Sequence, residues 1–162
     1  MGLPLDIQEN DILSISAANQ KQLFERLGEI LEQRGEVTDA FSEAIFGREQ
    51  QFPTALDMQP LFAGGPNIAI PHTEPAFCKT KKVVVVRLEQ PVDFRNMINP
   101  KEIISVQFLF AILNDNPSAQ TNILANLMDL FKSEHFLERL GQTTSAHDVC
   151  QVLQQYANFE CA

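Results

Sequence analysis

Apolar side chains recur along the chain in two rhythms, and the changes from one to the other divide it into elements. "ILSISA" at 12–17 alternates apolar and polar positions and reads as a strand. In "NQKQLFERLGEILEQRG", Leu23, Phe24, Leu27, Ile30 and Leu31 share one face at helical spacing before Gly35, which predicts a first amphipathic helix ending at that glycine. "TDAFSEAIFGREQQ" predicts a second, with Thr38 or Asp39 as N-cap, Phe41, Ala44 and Ile45 on the apolar face and Arg48 at its end. "FPTALDMQPLFAGGPN" has neither rhythm: Pro53, Pro60 and the GGP of 64–66 make it a long irregular connection, a kind of segment that tends to carry function.

Three strands are then predicted, in "NIAIP" at 67–71, "KKVVVVRLE" at 81–89 and "IISVQFLFAIL" at 103–113. The last two are almost continuously β-branched or aromatic, the pattern of strands covered on both faces. Helical spacing returns in "NPSAQTNILANLMDLF" from Asn116, "SEHFLERL" from Ser133, and "SAHDVCQVLQQYA" from Ser145 with Asp148 three residues on. Helices before and after a strongly apolar sheet imply an α/β sandwich of three layers. No repeat or linker interrupts the chain, so residues 1–162 are expected to form a single domain.

Composition narrows the function classes. Twelve Lys plus Arg against 21 Asp plus Glu give a formal charge of -9, which disfavours nucleic acid and anionic membrane as partners and favours a basic protein surface. The longest apolar runs, 83–86 and 108–113, fall far short of the roughly 20 residues that cross a bilayer, so no direct membrane insertion is expected. "MGLPLDIQEND" is acidic and does not resemble a secretory leader, and a cytoplasmic location is the expectation. Cys78, Cys150 and Cys161 are widely spaced without a CxxC pair; they are expected to be reduced and structural.

Chemistry converges on one histidine. Pro71 fixes its own φ and holds Ile70 extended, so His72 leaves the strand end in a restricted direction, at the kind of strand-to-loop junction where α/β sheets place their sites. The alternative is a histidine that merely caps a strand end. His135 and His147 stand beside Glu134 and Asp148 in predicted first helical turns and read as solvated surface. "HTE" at 72–74 lacks the Pro-Cys-x-x-Cys partner of a zinc deaminase, and the histidine spacings match no metal site. Phosphate-binding glycine loops and the GxSxG elbow are also missing, so neither metal nor cofactor is expected. A histidine without those partners has a remaining occupation as a nucleophile that takes up a phosphoryl group and hands it on.

"REQQFPTAL" at 48–56, "NIAIPHTE" at 67–74, "PVDF" at 91–94 and "VQFLFAILNDN" at 106–116 resemble, in order and spacing, the enzyme IIA proteins of the bacterial sugar phosphotransferase system. The fructose and mannitol branch is the relevant one, and the galactitol-type enzyme IIA is the most similar. The resemblance implies a three-layer α/β sandwich with a mixed β-sheet flanked by helices. It implies that His72 accepts phosphate at Nε2 from the histidine-containing phosphocarrier protein and passes it to a cysteine of enzyme IIB, while a neighbouring group holds Nδ1. Arg48 matches the family's arginine and would neutralise phosphoryl oxygens with its planar fork of donors. Thr54 matches a family threonine near the site and would stabilise the phosphoryl group by donating its hydroxyl. Gln120 stands where mannitol and fructose relatives usually carry a second histidine; its amide can donate to phosphate but carries no charge. Thr54-Ala55 and His72-Thr73 also replace the family's Thr-Gly and His-Gly pairs, reducing backbone freedom at both places. Besides a transport phosphocarrier, a regulatory module sensed through its phosphorylation state and an inert interaction domain remain open.

Overall fold

The computed structural model describes residues 7–116 and 120–156. Its centre is a five-stranded mixed sheet of β1 (Ile12–Ile15), β2 (Ala55–Leu56), β3 (Ile68–Ala69), β4 (Lys82–Arg95) and β5 (Ile103–Leu113), in the spatial order β1-β4-β5-β3-β2. β4 and β5 form the antiparallel spine, with Val85 opposite Phe110 and Val86 opposite Leu109. β1 joins β4 in parallel and β3 joins β5 in parallel, while the short β2 runs antiparallel to β3.

Alternation along the spine sends side chains into two separate cores. Val84, Val86, Leu109 and Ala111 face α1 (Gln20–Gln33) and α2 (Phe41–Gln51), meeting Leu23, Phe24, Leu27 and Ile45. Val83, Val85, Phe108, Phe110 and Ile112 face the opposite layer of α3 (Gln120–Lys132), α4 (Phe136–Gly141) and α5 (Ala146–Tyr156). Both faces of β4 and β5 are therefore covered, as their uninterrupted apolar runs require. Each fully buried Val, Leu, Ile or Phe contributes about 1.5–3 kcal/mol, so the two cores explain why this sheet tolerates so few polar positions.

Helix ends follow local chemistry. The Asn19 side chain accepts the Gln22 N–H at 2.9 Å to open α1. Gly35, at φ 74°, closes it, with Gly35 N–H on Glu32 and Glu36 N–H on Leu31. Gly28 lets α1 approach α2, because a Cβ there would overlap the Ser42 hydroxyl.

Several boundaries differ from the sequence expectation. α2 begins at Phe41 after Ala40, with no side-chain cap; Thr38 contributes its carbonyl to the Phe41 N–H instead. It continues past Arg48 to Gln51, which brings Glu49 into its last turn. β4 runs on to Arg95 because an irregularity in its register between Arg87 and Val92 absorbs Pro91, which has no N–H to donate. The connection 52–67 contains the β2 strand and is tied down by Asn67, whose side chain accepts from Met58 N–H and Gln59 and donates to the Ser105 carbonyl. Ser133 ends α3 instead of starting α4, since its hydroxyl bonds the Asp129 carbonyl. Ser145 does cap α5, accepting the Asp148 N–H at 3.1 Å. The expected start of α3 at Asn116 and Pro117 runs into residues outside the described ones. Cys78 is a buried free thiol as expected, but Cys150 is disulfide-bonded, which corrects the expectation of reduced cysteines.

Phe110 is fully buried and meets the Phe131 ring edge-on at 5.1 Å, coupling the sheet to α3. Phe110→Ala is expected to cost about 3–5 kcal/mol in urea unfolding; a loss under about 1 kcal/mol would show that this core layer repacks freely.

Candidate functional site

His72 lies just past β3, where the chain is still paired with the sheet. The Ile112 N–H donates to the Pro71 carbonyl at 3.0 Å and His72 forms an isolated parallel bridge with Ile112. On the other side, the Ile70 N–H donates to the Thr54 carbonyl at 3.2 Å. The segment carrying the histidine is thus clamped from both flanks. Its imidazole, half-buried, has Nδ1 3.0 Å from the Ile70 carbonyl. A carbonyl can only accept, so Nδ1 carries the hydrogen and Nε2 keeps its lone pair.

The last turn of α2 supplies two side chains of opposite character. Arg48, 34% exposed along its side chain, meets Glu74 at 3.5 Å and lies over the Phe52 ring, 4.4 Å from its centroid. Its Nε is buried without a hydrogen-bond partner among the described residues. Glu74 is held below the usual carboxylate range, first by its own backbone N–H, then by the Thr73 hydroxyl at 2.8 Å, with the charge of Arg48 adding to the effect. Glu49 turns inward and is 3% exposed. Its two carboxylate oxygens accept from Thr54, one from the N–H and one from the hydroxyl, both at 2.7 Å. Burial raises the Glu49 carboxyl from 4.5 to about 7, against the lowering pull of those two hydrogen bonds.

An imidazole with a free Nε2, set in the mouth of a sheet near an incompletely satisfied guanidinium, is equipped to take an electrophile surrounded by negative oxygens. Among the described residues, no group of three or more His, Cys, Asp or Glu is placed to hold a metal ion. No described helix is long and apolar enough to cross a membrane.

A family model described as "Phosphoenolpyruvate-dependent sugar phosphotransferase system, EIIA 2" matches residues 7–156. The chain belongs to this enzyme IIA family. It is 25% identical over 126 residues to the galactitol-specific enzyme IIA component of Escherichia coli (strain K12), covering 78% of this chain and 80% of that protein. The solution structure of the mannitol-specific cryptic phosphotransferase enzyme IIA of E. coli superposes with a TM-score of 0.69 at 17% identity, covering 93% and 95% of the two chains. The complex of mannitol enzyme IIA with phosphorylated enzyme IIB from E. coli matches with a TM-score of 0.66 at 22% identity, covering 90% of this chain and 95% of that one. The mixed sheet between two helical layers is therefore the enzyme IIA fold expected from the resemblance. Enzyme IIA components of sugar and polyol systems are phosphotransferases that relay phosphate through a histidine to enzyme IIB.

Within this enzyme IIA, Arg48 reaches the segment that carries His72, pairing with Glu74 two residues beyond the histidine. Thr54 is adjacent but its hydroxyl is committed to Glu49 and buried. Gln120 is the first residue of α3, and the expectation about its amide lies outside the described side chains. His135, at φ 66° before α4, faces Glu134 and Glu138, and His147 is exposed in the first turn of α5, both as expected for surface histidines. Glu49 and Glu74 escaped sequence reasoning. Glu49 follows Arg48 directly, and the signal for it was a carboxylate on the apolar side of a helix whose opposite side is polar.

The raised carboxyl of Glu49 makes a pH prediction. A folded value above the unfolded one means that its stabilisation is complete below about 4.5 and is lost as pH rises through about 7. That rise corresponds to about 3 kcal/mol. Urea titrations from pH 4.5 to 7 are expected to show Glu49→Gln losing less stability than the unmutated chain across this window, by about that amount; parallel curves would contradict a titrating, buried Glu49.

Proposed function

We propose that Nε2 of His72 is the phosphorylated atom, and that the chain serves a polyol system of the galactitol type. The observation that carries the reading is the 3.0 Å contact of Nδ1 with the Ile70 carbonyl, which leaves Nε2 as the nucleophile. The donor is the histidine-containing phosphocarrier protein. The Nε2 lone pair attacks the phosphorus, the donor's P–N bond breaks, and its electron pair returns to the donor's ring. In the second transfer a cysteine thiolate of enzyme IIB forms the P–S bond as the Nε2–P bond breaks. The Nδ1 hydrogen stays on the ring through both steps.

Arg48 stabilises the phosphoryl oxygens. Its ion pair with Glu74 is long and has side chains 34% and 54% exposed, so it is worth under about 1 kcal/mol and exchanges readily for a dianion. The partly exposed guanidinium offers its donors to the phosphoryl oxygens, while its buried Nε has no partner among the described residues. Thr54 supports the site from beside β3, and Gln120, opening α3, adds an uncharged donor in place of a second histidine. Phe52, 56% exposed beneath Arg48, gives a visiting protein an apolar grip next to the charge. The absence of a membrane-length helix among the described residues agrees with work in the cytoplasm. Support for galactitol comes from the identity to the galactitol-specific component and from Gln120.

Incubation with phosphoenolpyruvate, enzyme I and the phosphocarrier protein is expected to label the chain with acid-labile, base-stable phosphate. His72→Ala abolishes the label; a labelled His72→Ala protein would refute the assignment. Arg48→Ala is expected to slow labelling on the order of a hundredfold with little effect on unfolding, and equal stopped-flow rates would remove Arg48 from the site.

A further inference from the structure

We infer that Glu49 is a positioning residue for His72: through Thr54 and the end of β3 it holds the imidazole in the tautomer that leaves Nε2 free. This rests on His72 being the phosphate acceptor. The connection is a continuous series of hydrogen bonds. Glu49 accepts the Thr54 N–H and hydroxyl, each at 2.7 Å. The Thr54 carbonyl accepts the Ile70 N–H at 3.2 Å, and the Ile70 carbonyl stands 3.0 Å from Nδ1 of His72. Nothing in this series touches Nε2, so Glu49 acts on the reaction only through the ring's orientation and hydrogen placement.

A carboxylate is required here for a geometric reason. Thr54 presents two donors from one residue, its N–H and its O–H, and they meet two different oxygens. The ionised carboxylate, which forms as pH rises through about 7, offers acceptors at both places; a glutamine would turn its NH2 toward one of the donors. The burial makes that arrangement costly, since no Lys or Arg among the described residues pairs with Glu49. A buried, cation-free carboxylate kept at the root of the histidine segment is explained by the two donors it organises. The Glu49 position also couples anchor to charge. Neighbouring helical residues point about 100° apart, so one turn of α2 aims Arg48 outward to Glu74 while sending Glu49 into the β2–β3 edge. The strand end and the guanidinium are thereby referenced to the same helical turn.

The test uses the full chain and reads the ring directly. Nitrogen-15 NMR of neutral His72 is expected to show the Nδ1–H tautomer dominating in the unmutated protein. In Glu49→Gln and Thr54→Val the Nε2–H tautomer rises severalfold. Phosphoryl transfer from the phosphorylated carrier protein then falls about tenfold in kcat, with KM for the carrier within about twofold. Thr54→Ser, which keeps both donors, recovers most of what Thr54→Val loses. Should Glu49→Gln fail to fold, the Thr54→Val and Thr54→Ser pair decides alone. An unchanged tautomer ratio in folded variants overturns the inference whatever their rates. Label persisting in His72→Ala would instead overturn the acceptor assignment, and the tautomer measurement distinguishes the two failures.

Discussion

One hydrogen bond underlies the proposed chemistry of this protein: the contact between Nδ1 of His72 and the carbonyl of Ile70. An imidazole has two nitrogens and, when neutral, one hydrogen; whichever nitrogen is tied to an acceptor surrenders its lone pair, and the other becomes the nucleophile. Because the acceptor is the backbone of the same chain, two residues away, the choice is made by the path of the strand. Pro71 narrows that path, and pairing with Thr54 on one side and Ile112 on the other holds it. The two cores beneath and above β4 and β5 serve this end by making β5 a rigid rail along which His72 is registered.

Charge is distributed around that ring in layers of increasing mobility. Glu49 is buried and committed; Glu74 is exposed and paired only loosely with Arg48; Arg48 has one donor without a partner among the described residues. An enzyme IIA must be stable both without phosphate and with about two extra negative charges in place. A weak, solvent-screened Arg48–Glu74 pair suits such a cycle better than a buried one would, because breaking a buried pair leaves an uncompensated charge.

Much of the architecture was legible in the sequence because it depends on periodicity. The runs at 83–86 and 108–113 announced strands buried on both faces, and the Leu23 to Leu31 stripe announced α1. The place of His72 at a strand end was legible because Pro-His is a restricted geometry there, and the family resemblance rested on the same residues. Features set by tertiary contacts were not. β2 is two residues long and exists by pairing with β3, which no local pattern reveals. The start of α4 moved because Ser133 closes α3 instead, a competition between two neighbouring helix ends. Glu49 was passed over because a glutamate in a helix normally faces water; only the fold places Thr54 against it.

The central claim is that phosphate lands on Nε2 of His72 while Nδ1 stays bonded to the strand. Nitrogen-15 and phosphorus-31 NMR of the phosphorylated chain measure this directly. The account predicts phosphorus coupled to Nε2 of His72, with a hydrogen retained on Nδ1. Phosphorus on Nδ1, or on any residue other than His72, would contradict it.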